Sequence, residues 1–312
     1  MVNFRNLLLT VQDDGVAVIT INRPDILNAL DLQTLRELKG CIEEIRRDSR
    51  VKAVILQGAG DKAFVAGSDL MAMSRMTAHE AMAFSRFGHE VFNAIENLPM
   101  AVIGAIHGYC LGGGLGLALA CDFRYASTTA KFGQPEVKYG IIPGFGGSQT
   151  LARLIGQGRA KEMIYTGDLI DAQEAYRIGL VNRVLPGEQL METCEAVCRK
   201  IMEKGPIAIG SAKDAINRGL SMDLASGLSY EAQVFGNCFA TLDQTEGMKG
   251  FLKKRNRGFF GNLKGGCCIA NTPVNWQLTM CAAGRRACAP YGFYCSKSIC
   301  KIDFHRLLTA DR

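Results

Sequence analysis

Glu136 is the one acid between Asp122 and Glu162, with a glycine cluster on either side, Gly112 to Gly114 before it and Gly144, Gly146 and Gly147 after it. Glycines spaced so closely let backbone approach a ligand, with free N–H groups turned toward it. An acid beside such a backbone points to proton transfer. Exposure is the commoner fate of a loop glutamate. Here Pro135 stiffens the segment, and Val137, Ile141 and Ile142 make its surroundings apolar. Desolvation would raise the pKa of Glu136 and suit it to acid/base work near neutrality, with Lys138 next door opposing the shift.

Other chemistries find little support. A dinucleotide fingerprint needs Gly-x-Gly-x-x-Gly after a strand. Gly112-x-Gly114 is followed by Leu115, Gly116 and Leu117, so the third glycine is misplaced, and several residues separate the triplet from the preceding strand. No Gly-Lys-Ser/Thr follows, which excludes a phosphate loop. Ser68 lacks a Gly-x-Ser-x-Gly elbow. His79, His89, His107 and His305 show no ligand spacing, and His107, before a glycine at a strand end, reads as structural. Six cysteines between Cys267 and Cys300 are not paired as zinc ligands are, so no metal is expected. The other six, Cys41 to Cys238, lie mostly in apolar patterns and read as small buried residues.

The chain has 312 residues, 48% of them hydrophobic, enough for a sizeable core. Of its formal charge of +6, residues 263–312 hold +5, from seven Lys/Arg and two Asp/Glu. The near-neutral remainder gives no basis for nucleic-acid binding. No apolar run approaches the roughly 18 residues that span a membrane, and the N-terminus lacks a secretory pattern, so a cytoplasmic protein is expected.

The elements that must hold Glu136 follow from periodicity. Val16 to Ile21, Val51 to Leu56, Ala101 to Ile106, Cys121 to Ser127 and Lys131-Phe132 read as strands. Asp31 opens a helix, and Thr77 with Glu80 forms a capping box for another that runs to about Asn97. Ala63 to Asp69 reads as a loop of small residues, and Leu115 to Ala120 as a short helix. From Ser148 onward helical patterns dominate, interrupted by a strand at Val181 to Leu185. Alternation of this kind predicts an α/β fold with a buried sheet and crossover helices, or a spiral of ββα turns.

Ala63-Phe-Val-Ala-Gly-Ser-Asp-Leu70, Gly108-Tyr-Cys-Leu-Gly-Gly-Gly114, Phe132-Gly-Gln-Pro-Glu136 and Gly140 to Gln149 together resemble the crotonase (enoyl-CoA hydratase/isomerase) superfamily. The resemblance runs from about Val16 to Arg255. It implies a ββα spiral core, placed at 1–195, and a helical C-terminal oligomerisation region at 196–262 that mediates homotrimers, often paired into hexamers. It also implies an acyl-CoA thioester substrate and no cofactor beyond the CoA that the substrate carries. The oxyanion hole maps to the N–H groups of Ser68 and Gly113, and Glu136 becomes the acid/base. Ala66, Ser68, Asp69, Leu70 and Met71, with Gly113, are implied to bind the thioester and its CoA, helped by Phe251 and Lys254 at the nucleotide end, in the same or a neighbouring subunit. Residues between Met71 and Phe92 are the candidates for the acyl pocket.

Two departures matter. Hydratases of this superfamily carry a first glutamate just after the glycine triplet, where this chain has Gly116, and no Asp or Glu falls between Glu136 and Glu162 to replace it. Adding water calls for a base and an acid, whereas moving one proton between two carbons of an enolate needs a single carboxylate. The expectation is therefore Δ3-to-Δ2 isomerisation in acyl-CoA metabolism. A weakened hydratase and a non-catalytic acyl-CoA-binding scaffold are the alternatives. The cysteine-rich basic segment 263–312 falls outside the resemblance and is expected to be disordered or a non-native extension.

Overall fold

The computed structural model describes residues 4–264. Nearly all of the 263–312 segment, and with it the expectation of disorder there, lies outside the described residues. Strands β1 (Leu7–Val11) and β2 (Val16–Ile21) pair antiparallel. Helix α1 (Leu32–Arg47) then crosses over to β3 (Ala53–Gly58), which runs parallel to β2. The Asp31 side chain starts α1 by accepting from the Thr34 N–H at 2.7 Å, and Leu35, Leu38, Ile42 and Ile45 bury its apolar stripe.

From β3 the chain passes into β4 (Ala63–Val65), the short α2 (Leu70–Met73) and the long α3 (Ala78–Glu96). The capping box at Thr77 and Glu80 forms as the spacing predicts. Next come β5 (Ala101–Ile106), β6 (Tyr109–Leu111), α4 (Gly113–Leu119), β7 (Phe123–Ser127) and β8 (Lys131–Gly133). Helices α5 (Gly147–Ile155) and α6 (Gln157–Thr166) lead to β9 (Ile170–Asp171), α7 (Ala172–Arg177), β10 (Arg183–Leu185) and α8 (Gly187–Met202). Helices α9 (Pro206–Gly219), α10 (Leu224–Cys238) and α11 (Leu242–Leu252) complete the described chain.

Two sheets result, one ordered β1-β2-β3-β5-β7-β10 and the other β4-β6-β8-β9. Each turn of chain lays one strand in the first sheet and the next in the second: β3 then β4, β5 then β6, β7 then β8. This is a ββα spiral. Its main core lies where α1 and α3 cover the large sheet. The opposite face of that sheet packs on Leu190, Cys194 and Cys198 of α8. The division expected at residue 195 thus falls inside α8, whose packing on the sheet continues past it.

The expected loop at Ala63 to Asp69 begins with a strand. Three fully buried residues show no alternation, and β4 finds its partner far along the chain, at Tyr109 and Cys110. The apparent gap before the glycine triplet is likewise a strand, β6, so the triplet follows a strand directly. Among the described cysteines, Cys41, Cys110, Cys121, Cys194 and Cys198 are buried. Burial pushes the thiols of Cys41, Cys121, Cys194 and Cys198 up to about 12, so they serve as packing groups.

Candidate active site

Ser68 sits where β4 has ended and α2 has not begun. Its neighbours on either side are tied to Leu30: the Leu30 N–H donates to the Gly67 carbonyl at 2.9 Å and the Asp69 N–H to the Leu30 carbonyl at 2.8 Å. In a parallel bridge of this kind, the intervening residue turns its own N–H to the other side. The Ser68 N–H is thereby free to face a ligand. Asp69 fixes the following turn by accepting from Met71 and Ala72, and Arg23 joins Asp69 to Asp31 across 3.5 and 2.9 Å.

The glycine triplet meets this loop, and each glycine is required for a different reason. Gly112 has φ +50°, and a Cβ there would lie 2.9 Å from the Glu136 Oε1. At Gly113 a Cβ would meet the Phe145 ring and the Ser68 Oγ, both at 2.9 Å. At Gly114 it would lie 2.0 Å from the Val65 carbonyl oxygen, which is the tight contact of α4 on β4. Close helix–strand packing and an exposed backbone N–H are therefore properties of one triplet. Gly113 is the first residue of α4, a position whose N–H has no intrahelical acceptor. Two N–H groups without partners, at Ser68 and Gly113, adjoin across the Ser68 side chain. Such a pair can hold a developing oxyanion.

Glu136 lies in a 3-10 turn, Pro135–Tyr139, directly after β8. Burial pushes its carboxyl up to about 7, opposed by a backbone N–H bond at Glu136 itself. Lys138 does not oppose the shift as expected; its side chain turns away and packs over Gly167. Gln134 is fully buried, and nothing in its local sequence marks it as a functional residue. With its amide nitrogen facing Glu136 it donates to both carboxylate oxygens at 3.0 Å, whereas the reverse orientation would oppose acceptors to acceptors. These bonds favour the charged carboxylate and hold its plane. Replacing Gln134 by Met removes these bonds and is expected to raise the Glu136 pKa, so that the inflection in a kcat/KM–pH profile moves upward. An unmoved inflection would remove Gln134 from this role.

These groups line one pocket of about 440 Å³, which includes Ala66, Ser68, Leu70, Gly113 and Glu136. Among the described residues lining it, Glu136 supplies the one carboxylate. Asp69 and the exposed Met71 stand beside the pocket and do not line it. Of the stretch between Met71 and Phe92, the structure selects Met73, Ala81, Phe84 and Ser85. Phe251 and Lys254, at the end of α11, are not part of this lining either. His107 lies outside too; burial holds its imidazole below the ordinary range.

Gly116 is also absent from the lining. A Cβ there would lie 2.7 Å from the Phe145 carbonyl oxygen and 3.2 Å from the Phe92 ring, so the face that a glutamate would occupy is covered. Nothing in the local sequence announces this, because Phe145 arrives from the loop before α5.

A two-sheet ββα spiral with such a pocket is the architecture of crotonase-fold enzymes. The sequence model described as enoyl-CoA hydratase/isomerase matches residues 12–262, and this chain belongs to that family of lyases and isomerases. It is 48% identical over 257 residues to the short-chain-enoyl-CoA hydratase of Clostridium acetobutylicum, covering 82% of this chain and 98% of that protein. It is 46% identical over 256 residues to the crotonyl-CoA hydratase of Syntrophomonas wolfei, with the same coverage of each chain. Among solved structures, the enoyl-CoA hydratase of Bacillus anthracis superposes with a TM-score of 0.79 at 41% identity, covering 83% of this chain and all of that one.

Proposed function

We propose that this protein moves a proton within a short-chain enoyl-CoA thioester, with Glu136 as the single acid/base, and so favours Δ3-to-Δ2 isomerisation. The observation that carries this reading is one raised carboxyl in the pocket together with the covered face at Gly116. Glu136 takes a proton from C2 of the 3-enoyl thioester. The N–H groups of Ser68 and Gly113 hold the thioester oxygen as negative charge gathers on it. Glu136 then returns the proton to C4, leaving the double bond between C2 and C3. Ala66, Asp69, Leu70 and Met71 would flank the thioester and the CoA arm. Phe251 and Lys254 would reach the nucleotide end from a neighbouring subunit.

No cofactor beyond the substrate's own CoA enters this scheme. Apolar side chains exposed on and after the C-terminal helices, among them Leu220, Leu224, Phe235, Phe251, Leu252 and Phe260, support assembly as a homotrimer or hexamer. Among the described residues no helix is long and apolar enough to cross a membrane, in keeping with action in the cytoplasm on a soluble thioester.

Hydration is the second reading, favoured by the names of the relatives from Clostridium acetobutylicum and Syntrophomonas wolfei. Assaying 3-butenoyl-CoA against crotonyl-CoA separates the two. Isomerisation is expected to exceed hydration by about 10²-fold or more, the worth of one missing acid/base group. Equal or faster hydration would establish the second reading, and CoA binding without turnover of either would indicate a scaffold. Gly116→Glu is expected to raise hydration only if the Phe145 carbonyl gives way.

A further inference from the structure

The pocket is open at one end and closed at the other. Leu70, Tyr139, Ile141 and Ile142 form an exposed rim, Ile142 being 72% exposed. The opposite wall is made by Phe84 and Phe145, which are 7% and 5% exposed. The Phe145 ring stands beside Gly113, and its centroid lies 5.0 Å from Phe84 and 5.5 Å from Phe92. It is held from the far side by α3. A Cβ at Gly88 would lie 2.4 Å from both Cδ1 and Cε1 of the ring, so no other residue fits there without displacing it. A glycine in the middle of a long helix is costly, and the ring supplies its reason. With Phe84 and Phe92 packed around it, and with Gly116 against its own backbone, the ring has no free direction in which to swing.

Building on the acyl-CoA reading of this site, we propose that Phe145 is its specificity-determining floor and limits the acyl group to about four carbons. The thioester oxygen is fixed at Ser68 and Gly113, and the reacting carbons face Glu136. The CoA arm must leave through the exposed rim, so the acyl end runs toward the closed wall. There it meets the Phe145 ring right beside the oxyanion donor. A four-carbon chain ends against that ring, and each further methylene needs the space that the ring fills. Removing the ring joins its volume to the pocket and opens room for a longer chain.

The test is calorimetric binding of butyryl-CoA and octanoyl-CoA, saturated thioesters that need no turnover, to the full-length wild-type chain and to Phe145→Ala and Phe145→Leu. Wild type is expected to bind butyryl-CoA at least tenfold more tightly than octanoyl-CoA. The ratio should move toward octanoyl-CoA by tenfold or more in Phe145→Ala, and by less in Phe145→Leu, which keeps the core more nearly filled. Circular dichroism melting establishes that each variant is folded; should Phe145→Ala not fold, Phe145→Leu and the wild-type ratio decide. Equal affinity of the wild type for the two thioesters, or an unchanged ratio in a folded variant, overturns the floor while leaving the acyl-CoA reading intact. Failure of the wild type to bind either thioester overturns the acyl-CoA reading, and the floor with it.

Discussion

Replacing Glu136 by Gln is expected to lower turnover of a 3-enoyl-CoA by about 10²–10⁴-fold, the range that a general acid/base group supplies. The substitution keeps size and shape, and the new amide oxygen can still accept from Gln134. The loss therefore reports on the proton itself. In the wild type the same group should appear in the pH profile. Burial places its pKa at about 7, and abstraction of the C2 proton requires the charged form. The kcat/KM for isomerisation should thus rise with pH through about 7 and level off above it. If Glu136 served instead as the acid of a hydration step, the limb would run the other way, falling as pH increases through that value. In Glu136→Gln the limb should vanish. A variant with an undiminished rate, or with the wild-type limb still present, would show that another group moves the proton.

Gly113→Pro tests the other half of the site. Proline is accepted at the first residue of a helix, the place of Gly113 in α4, because the N–H lost there has no acceptor within the helix. What is lost is the donor to a developing oxyanion, worth about 3–4 kcal/mol, or roughly 10²–10³ in kcat. The crowding is a separate effect, since any Cβ at this position meets the Phe145 ring and the Ser68 Oγ at 2.9 Å. Gly113→Ala carries that crowding and keeps the N–H. The ratio of the two variants' kcat values, with thermal melting to confirm folding, removes the Cβ crowding and reports the loss of the N–H together with the proline Cδ that takes its place. A ratio near one would remove the Gly113 N–H from the oxyanion hole.

Chemistry written in residue type is what a sequence displays best. Glu136 stood out because it is the one acid between Asp122 and Glu162 and lies in an apolar, proline-stiffened segment, and the glycine triplet because few roles call for three together. The helices were equally plain. Asp31, and Thr77 with Glu80, mark helix starts through bonds that span three residues, so the sequence neighbourhood contains both partners. The central parallel strands, β2, β3 and β5, are long apolar runs that burial on both faces demands.

The rest depended on partners brought from elsewhere in the chain. β4 and β6 are three-residue strands, too short for periodicity, and exist because the spiral sets one beside the other. Gln134 gains its role from the way its amide faces Glu136, and a glutamine's letter says nothing of that orientation. Gly116 in the sequence is a missing carboxylate; in the fold it is a covered face, because the Phe145 carbonyl lies against it. Gly88 reads as an ordinary flaw in a helix until the same phenylalanine is seen packed on it. Which groups could move a proton and which backbone could receive an anion are properties of single residues and their near neighbours, and they are written in the order of the amino acids. How much room surrounds those groups follows from the folded chain, because close packing is set by side chains that are distant in sequence and adjacent in space.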